Sequence, residues 1–131
     1  MSDVDPFPPG AMDRMLEMVG RPGGRLADAR LLHLVVEQNV AITPDYRRIT
    51  LGGEGVADLQ FRTGQDLMMR IPSDADAVTN RRYTIRRLDR SAGTVDVDMV
   101  VHGDGPGARW AARAARGDAL DAIGPRGSVF I

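Results

Sequence analysis

The eight residues Thr94–Val101, TVDVDMVV, constrain the fold of this chain more than any other stretch. Val95, Val97 and Met99 fall on one side of an extended backbone, and Asp96 and Asp98 fall on the other. Side chains of a strand alternate between faces, so this pattern specifies a sheet with one dry face and one wet one. Five further runs resemble it in length and setting. Arg30–Val40 is rich in Leu and Val, and Tyr46–Leu51 sits between the turn Thr43-Pro44-Asp45 and Gly52-Gly53. Asp66–Ile71 lies between Gly64 and Pro72, then come Arg82–Leu88 and, near the end, Ala119–Ile123. Short strands punctuated by turn residues at this spacing predict a mainly β protein, either a small antiparallel barrel or a sandwich.

Two helices interrupt the strand pattern. Ala11–Val19 places Met12, Met15, Leu16 and Val19 at helical spacing, and GRPGG at 20–24 breaks it. It either covers the sheet or mediates pairing with another chain. Pro106–Arg116 is alanine-rich, with proline in the first turn where its missing N–H does no harm, and Gly117 is its predicted stop. Residues 1–10 carry three prolines and read as an arm. The expected division is an arm and short helix over 1–24 and one β domain over 25–131.

Composition narrows the chemistry. A length of 131 residues and an apolar content of 43% suit one domain with a packed interior. The absence of cysteine excludes disulfides, thiol catalysis and cysteine-held metals. All 17 basic residues are arginine, so an anion here must be held by guanidinium or backbone N–H, and Schiff-base chemistry is excluded. A net charge of −1 and few aromatic residues argue against a nucleic-acid partner. Apolar runs stay well short of the ~20 residues a membrane helix needs. The acidic, proline-bearing start is unlike a signal peptide, so a cytoplasmic location is expected.

Three constellations stand out in the last fifty residues. In Arg81-Arg82-Tyr83-Thr84, Arg81 and Tyr83 project from one strand face, setting a guanidinium beside a phenol. That suits a ligand with a phosphate near a flat ring, and equally an ordinary solvated face. His102-Gly103-Asp104-Gly105-Pro106-Gly107-Ala108 feeds a helix start. It is either an anion site of backbone N–H groups or a plain connecting loop with Asp104 as the cap. Gly124-Pro125-Arg126-Gly127 reads as a tight turn closing the last strand.

Taken together, RRYTIRRLD and TVDVDMVVHGDGPGARWAARAARGDALDAIGPRG resemble, in order and spacing, the siderophore-interacting proteins, NAD(P)H-dependent ferric-siderophore reductases. The resemblance runs from about Arg30 to Gly127. It implies a six-stranded antiparallel Greek-key barrel of the ferredoxin-reductase type, with one helix after the fifth strand, that binds FAD rather than FMN. By the same resemblance Arg81 contacts the flavin-side phosphate, Tyr83 packs along the isoalloxazine and ribityl, and Thr84 hydrogen-bonds near the reactive ring nitrogen. Val100, Val101 and His102 run beside the flavin, and Gly105, Pro106, Gly107 and Ala108 form the pyrophosphate-binding helix start. Trp110 and Ala111 match a Trp-Ala pair on that helix, Trp110 being core packing or a cofactor contact.

Three departures accompany the match, one of them the strand Gly64–Pro72 (GQDLMMRIP), which fits its family counterpart poorly and is given no function. Ala108 stands where a serine hydroxyl is usual, and Gly107 stands where alanine is common, loosening the helix start by up to ~1 kcal/mol. No catalytic or metal-ligating side chain is assigned; the chemistry would be the flavin's. Family reductases continue into a nicotinamide-binding domain, which is expected to be absent here. NAD(P)H would then act only through such a domain or a partner chain, with a ferric siderophore as electron acceptor. The alternative is a stand-alone flavin module or electron carrier, working with a partner chain or as a homodimer.

Overall fold

The computed structural model describes residues 11–19, 28–73 and 78–127. The arm at 1–10, the break at 20–24 and residues 128–131 lie outside them. Six strands form one sheet: β1 (Arg30–Thr43), β2 (Tyr46–Gly52), β3 (Asp66–Pro72), β4 (Val78–Asp89), β5 (Thr94–Val100) and β6 (Ala119–Arg126). They close in the order β1-β2-β5-β4-β3-β6, every pair antiparallel. The connections from β2 to β3, passing β5 and β4, and from β5 to β6, passing β4 and β3, give the Greek-key topology. Of barrel and sandwich, the chain forms the barrel.

The alternation in β5 does what its pattern dictates. Val95, Val97 and Met99 are fully buried in the barrel core, beside Ile49 and Leu51 of β2. Outside, Thr50 Oγ1 donates to Asp96 Oδ1 at 2.7 Å, and Arg48 Nε donates to Asp98 Oδ1 at 2.8 Å. The Arg48 hydrogen bond holds the Asp98 carboxyl below its ordinary range, against the opposing effect of partial burial.

The two helices take different places. Helix α1 (Ala11–Met18) lies on the outer wall, where Met15 and Val19 pack over Ala29, Met68 of β3 and Ile123 of β6. It therefore covers the barrel. Helix α2 (Pro106–Arg113) instead sends Trp110 and Ala111 into the barrel core itself. Trp110 is 3% exposed, which settles it as core packing.

Several boundaries differ from the sequence expectation, among them the start of β4, at Val78 rather than Arg82. Helix α2 stops at Arg113 rather than Arg116, with Ala114 already extended (φ −56°, ψ 128°). Long-range bonds end it: Asn39 Nδ2 of β1 donates to the carbonyls of Ala111 and Ala114, each at 2.8 Å. Beyond, Gly117 N donates to Val36 O and Val36 N to Asp118 O, both at 2.8 Å, so β1 claims this segment. Gly117, at φ 97°, serves the following turn and is not the helix stop.

Residues Gly124, Pro125 and Arg126 belong to β6, which runs three residues past Ile123. The expected tight turn is not formed. A register shift opposite β3, between the pairs Asp66↔Arg126 and Met68↔Ile123, makes room for a proline that cannot donate to the ladder. Strand β1 likewise extends past Val40 to Thr43, with irregularities at Val36/Gln38 and Ala41/Thr43.

Candidate functional site

The sequence constellations meet where β4 passes the start of α2. On β4, Arg81 and Tyr83 are half-buried and share the inner face, Tyr83 packing against the barrel core opposite Leu67 of β3. Arg81 Nη1 donates to the Asn80 carbonyl at 3.0 Å, which folds the guanidinium back along its own strand. Thr84 is exposed and pairs with Asp66 of β3, so alternation turns its side chain to the opposite face from Tyr83. The strand thus brings Arg81 and Tyr83 together and sets Thr84 apart from them.

At the end of β5, Val100 is exposed while Val101 packs against the core, and Val101 N donates to Asp45 O at 2.9 Å. His102 is exposed. The chain then turns through Gly103 at φ 91°, reaches Gly105 in extended conformation as the N-cap of α2, and enters the helix at Pro106. No side chain caps this end. Asp104 is exposed and does not cap, so the plain-loop reading loses its key feature. The first helical N–H groups therefore lack a side-chain acceptor, the arrangement that suits an anionic ligand.

Gly107, the second residue of α2, is buried directly against Tyr83. A Cβ built on Gly107 would collide with the Tyr83 hydroxyl oxygen. The two constellations are thus in contact, although twenty-odd residues separate them in sequence. A ring face, a guanidinium and a bare helix start on one surface fit a long ligand that carries phosphates beside a planar ring.

On the far side of β4 lies a charged pair that sequence reading did not single out. Arg126 Nε of β6 stands 2.9 Å from Asp66 Oδ1, with side chains 17% and 20% exposed. Burial outweighs the pull of Arg126 and Arg82 and raises the Asp66 carboxyl above its ordinary value. Asn39 was missed as well. Besides holding the two α2 carbonyls, its Oδ1 accepts from Arg47 Nε at 2.7 Å. Asparagine is a poor strand former, and its presence inside a predicted strand is the one available hint.

The fold and this surface define the class: a flavin-binding barrel of the ferredoxin-reductase type. The model of the siderophore-interacting FAD-binding domain matches residues 59–129, and the chain belongs to that family. The ferric vibriobactin reductase ViuB of Vibrio cholerae is 30% identical over 118 residues, covering 75% of this chain and 43% of that protein. The crystal structure of a siderophore utilization protein from T. fusca superposes with a TM-score of 0.71 at 33% identity, covering 79% of this chain and 48% of that one. The electron transfer subunit of dihydroorotate dehydrogenase B from Listeria monocytogenes is 35% identical over 95 residues, which is 72% of this chain and 35% of the subunit. The chain spans less than half the length of each of these relatives. Among the described residues no helix is long and apolar enough to cross a membrane.

Proposed function

We propose that this chain seats FAD along β4 and the start of α2, and that it serves as the flavin-bearing part of an NAD(P)H-dependent ferric-siderophore reductase. One observation carries the reading. The family match over 59–129 takes in both the β4 motif and the α2 turn, and these are the segments in contact through Tyr83 and Gly107. In this reading Arg81 grips the flavin-side phosphate and Tyr83 offers its ring to the isoalloxazine and ribityl, while Thr84 faces the other way on β4 and its assignment to the reactive ring nitrogen rests on the family motif alone. Val100, Val101 and His102 flank the cofactor through their backbone. Gly105, Pro106, Gly107 and Ala108 form the diphosphate ledge, where Gly107 and Ala108 have N–H groups to donate and Pro106 has none.

None of these residues is asked to act as general acid or base. When bound, flavin would supply the redox chemistry, hydride transfer from a nicotinamide and single-electron transfer to iron(III). The residues of β4 and of the α2 start would bind and orient it. Electrons reach it through a nicotinamide-binding domain or a partner chain. The likeness to an electron transfer subunit favours keeping the second version, a flavin module that works with a separate chain.

Absorption spectroscopy of the purified protein, with and without added FAD, tests the reading. Oxidised-flavin bands are expected, and Arg81→Ala with Tyr83→Ala should weaken FAD binding by about a hundredfold. A colourless protein that takes up neither FAD nor FMN would sink it. Rapid bleaching of the bound flavin by NADPH with this chain alone would remove the need for a separate nicotinamide site.

A further inference from the structure

We propose that Asn39 and Arg47 are a positioning pair for the FAD seat: from the far end of α2 they set the direction in which its bare start faces the cofactor. The inference rests on the FAD reading above and adds to it two residues, from β1 and β2, that lie outside that seat. An irregularity in β1 brings the first of them into place. Leu32, Leu34 and Val36 are buried while Leu31, His33, Val35 and Glu37 are exposed, so an unbroken strand would turn Asn39 outwards. The register skips Glu37 between the pairs Val36↔Leu51 and Gln38↔Thr50, and the residues that follow change face. Asn39 then stands opposite the buried Ile49, and its side chain reaches the last turn of α2.

The hydrogen bonds that meet there call for a side chain that both accepts and donates. Arg47, half-buried and opposite the buried Met99 of β5, has only donors to offer. The carbonyls of Ala111 and Ala114 only accept, and a carbonyl in the last turn of a helix has no partner within it. An amide meets both needs. Asn39 Oδ1 accepts from Arg47 Nε at 2.7 Å, and Nδ2 donates to each carbonyl at 2.8 Å. With its oxygen engaged by Arg47, the amide cannot turn over without setting donor against donor and acceptor against acceptor. Arg47 therefore holds Asn39 in the orientation that grips the helix, and its positive charge suits that end of the helix dipole.

The grip has leverage because α2 is short: eight residues, or about 12 Å. Trp110 and Ala111 anchor it in depth, in the barrel core. Ala111 and Ala114 lie three positions apart and so share one side of the helix, which means that fixing both carbonyls sets its rotation as well as its tilt. At the other end Gly105 caps the helix without a side-chain bond. The N–H groups of Gly107 and Ala108 point wherever that rotation sends them. A small turn of the helix would leave the barrel closed and carry those groups away from the diphosphate.

FAD affinity and the ligand-free thermal midpoint of Arg47→Met, Asn39→Leu and the double variant test this, with Met15→Ala on the outer wall as control. Arg47→Met keeps most of the apolar stem and removes the donor. It should weaken FAD binding about fivefold, and Asn39→Leu about tenfold. The two residues act in series, so the double variant should stay within about twofold of Asn39→Leu. Met15→Ala should lower the midpoint and leave FAD affinity within about twofold of the parent, which separates positioning from a general loss of stability. Arg47→Met protein that binds FAD as the parent does would overturn the proposal. So would an equal loss of affinity in Met15→Ala, or a double variant whose loss is the product of the two single ones. If Asn39→Leu fails to fold, Arg47→Met against Met15→Ala decides: a loss in the first alone supports the pair, and equal affinities refute it. Parent protein that takes up no FAD would overturn the cofactor reading, whereas failure of the pair leaves parent binding intact.

Discussion

Helices α1 and α2 are each eight residues long, yet they contribute to the molecule in opposite ways. Helix α1 lies on the outside of a barrel that is already closed, held by Met15 and Val19 against a small apolar patch. Helix α2 completes the inside. Its Trp110 and Ala111 are part of the main core, and its last carbonyls are held by Asn39 from β1. The asymmetry within α2 is equally informative. The C-terminal end is fastened by side-chain and backbone bonds, while the N-terminal end is left without a side-chain cap. The fastened end fixes where the bare end points, so in the proposed reading stability and ligand binding fall to opposite ends of one short helix.

The largest effect should come from Trp110→Ala. Removing this side chain from the core is expected to cost about 3–5 kcal/mol by chemical denaturation, against about 1 kcal/mol for Met15→Ala on the outer wall. Comparable losses for the two would mean that α1 is as much a part of the core as α2. Next is Asn39→Leu, which leaves the carbonyls of Ala111 and Ala114 and the Arg47 guanidinium short of a partner, at a cost of about 1–3 kcal/mol. It should also weaken FAD binding although Asn39 lies at the other end of α2. Lost stability with unchanged FAD affinity would break the link between the two ends.

The smallest effect should come from the outer face of β2 and β5, which neither helix covers. The folded-state carboxyl of Asp98 lies below its ordinary value of 3.8 because Arg48 hydrogen-bonds to it. A depressed acid contributes stability that is present above that ordinary value and lost as pH falls through the folded one. Asp98→Asn should therefore melt slightly below the parent at neutral pH, with the gap closing under acid. A gap that stays constant across that titration would show that charge has no part in it.

Much of the fold was legible in the sequence because the strands carry their pattern locally. The alternation in Thr94–Val101 and the turn residues around the other runs located all six strands, and Pro106 marked the start of α2. The ends were harder to place. Arg113 ends α2 because Asn39 and Val36 claim the following residues, and β6 continues through Pro125 because β3 accommodates a register shift there. Neither cause lies near the residues it affects. The candidate site divides in the same way. Arg81 and Tyr83 on one face follow from a period of two, but a local view made Gly107 a weakness in the helix when it is the place where Tyr83 fits.

The sequence by itself determined that the chain is mainly β, which strand faces are apolar, and that its motifs resemble a flavin-binding family. These are properties of residue order and spacing, which local backbone geometry converts directly into structure. Tertiary structure alone decided that α1 lies outside the barrel and α2 inside it, and that an absent side chain at position 107 meets a phenol from β4. Those outcomes depend on which surfaces exclude one another when distant segments are packed to full density, and no single stretch of sequence contains both partners.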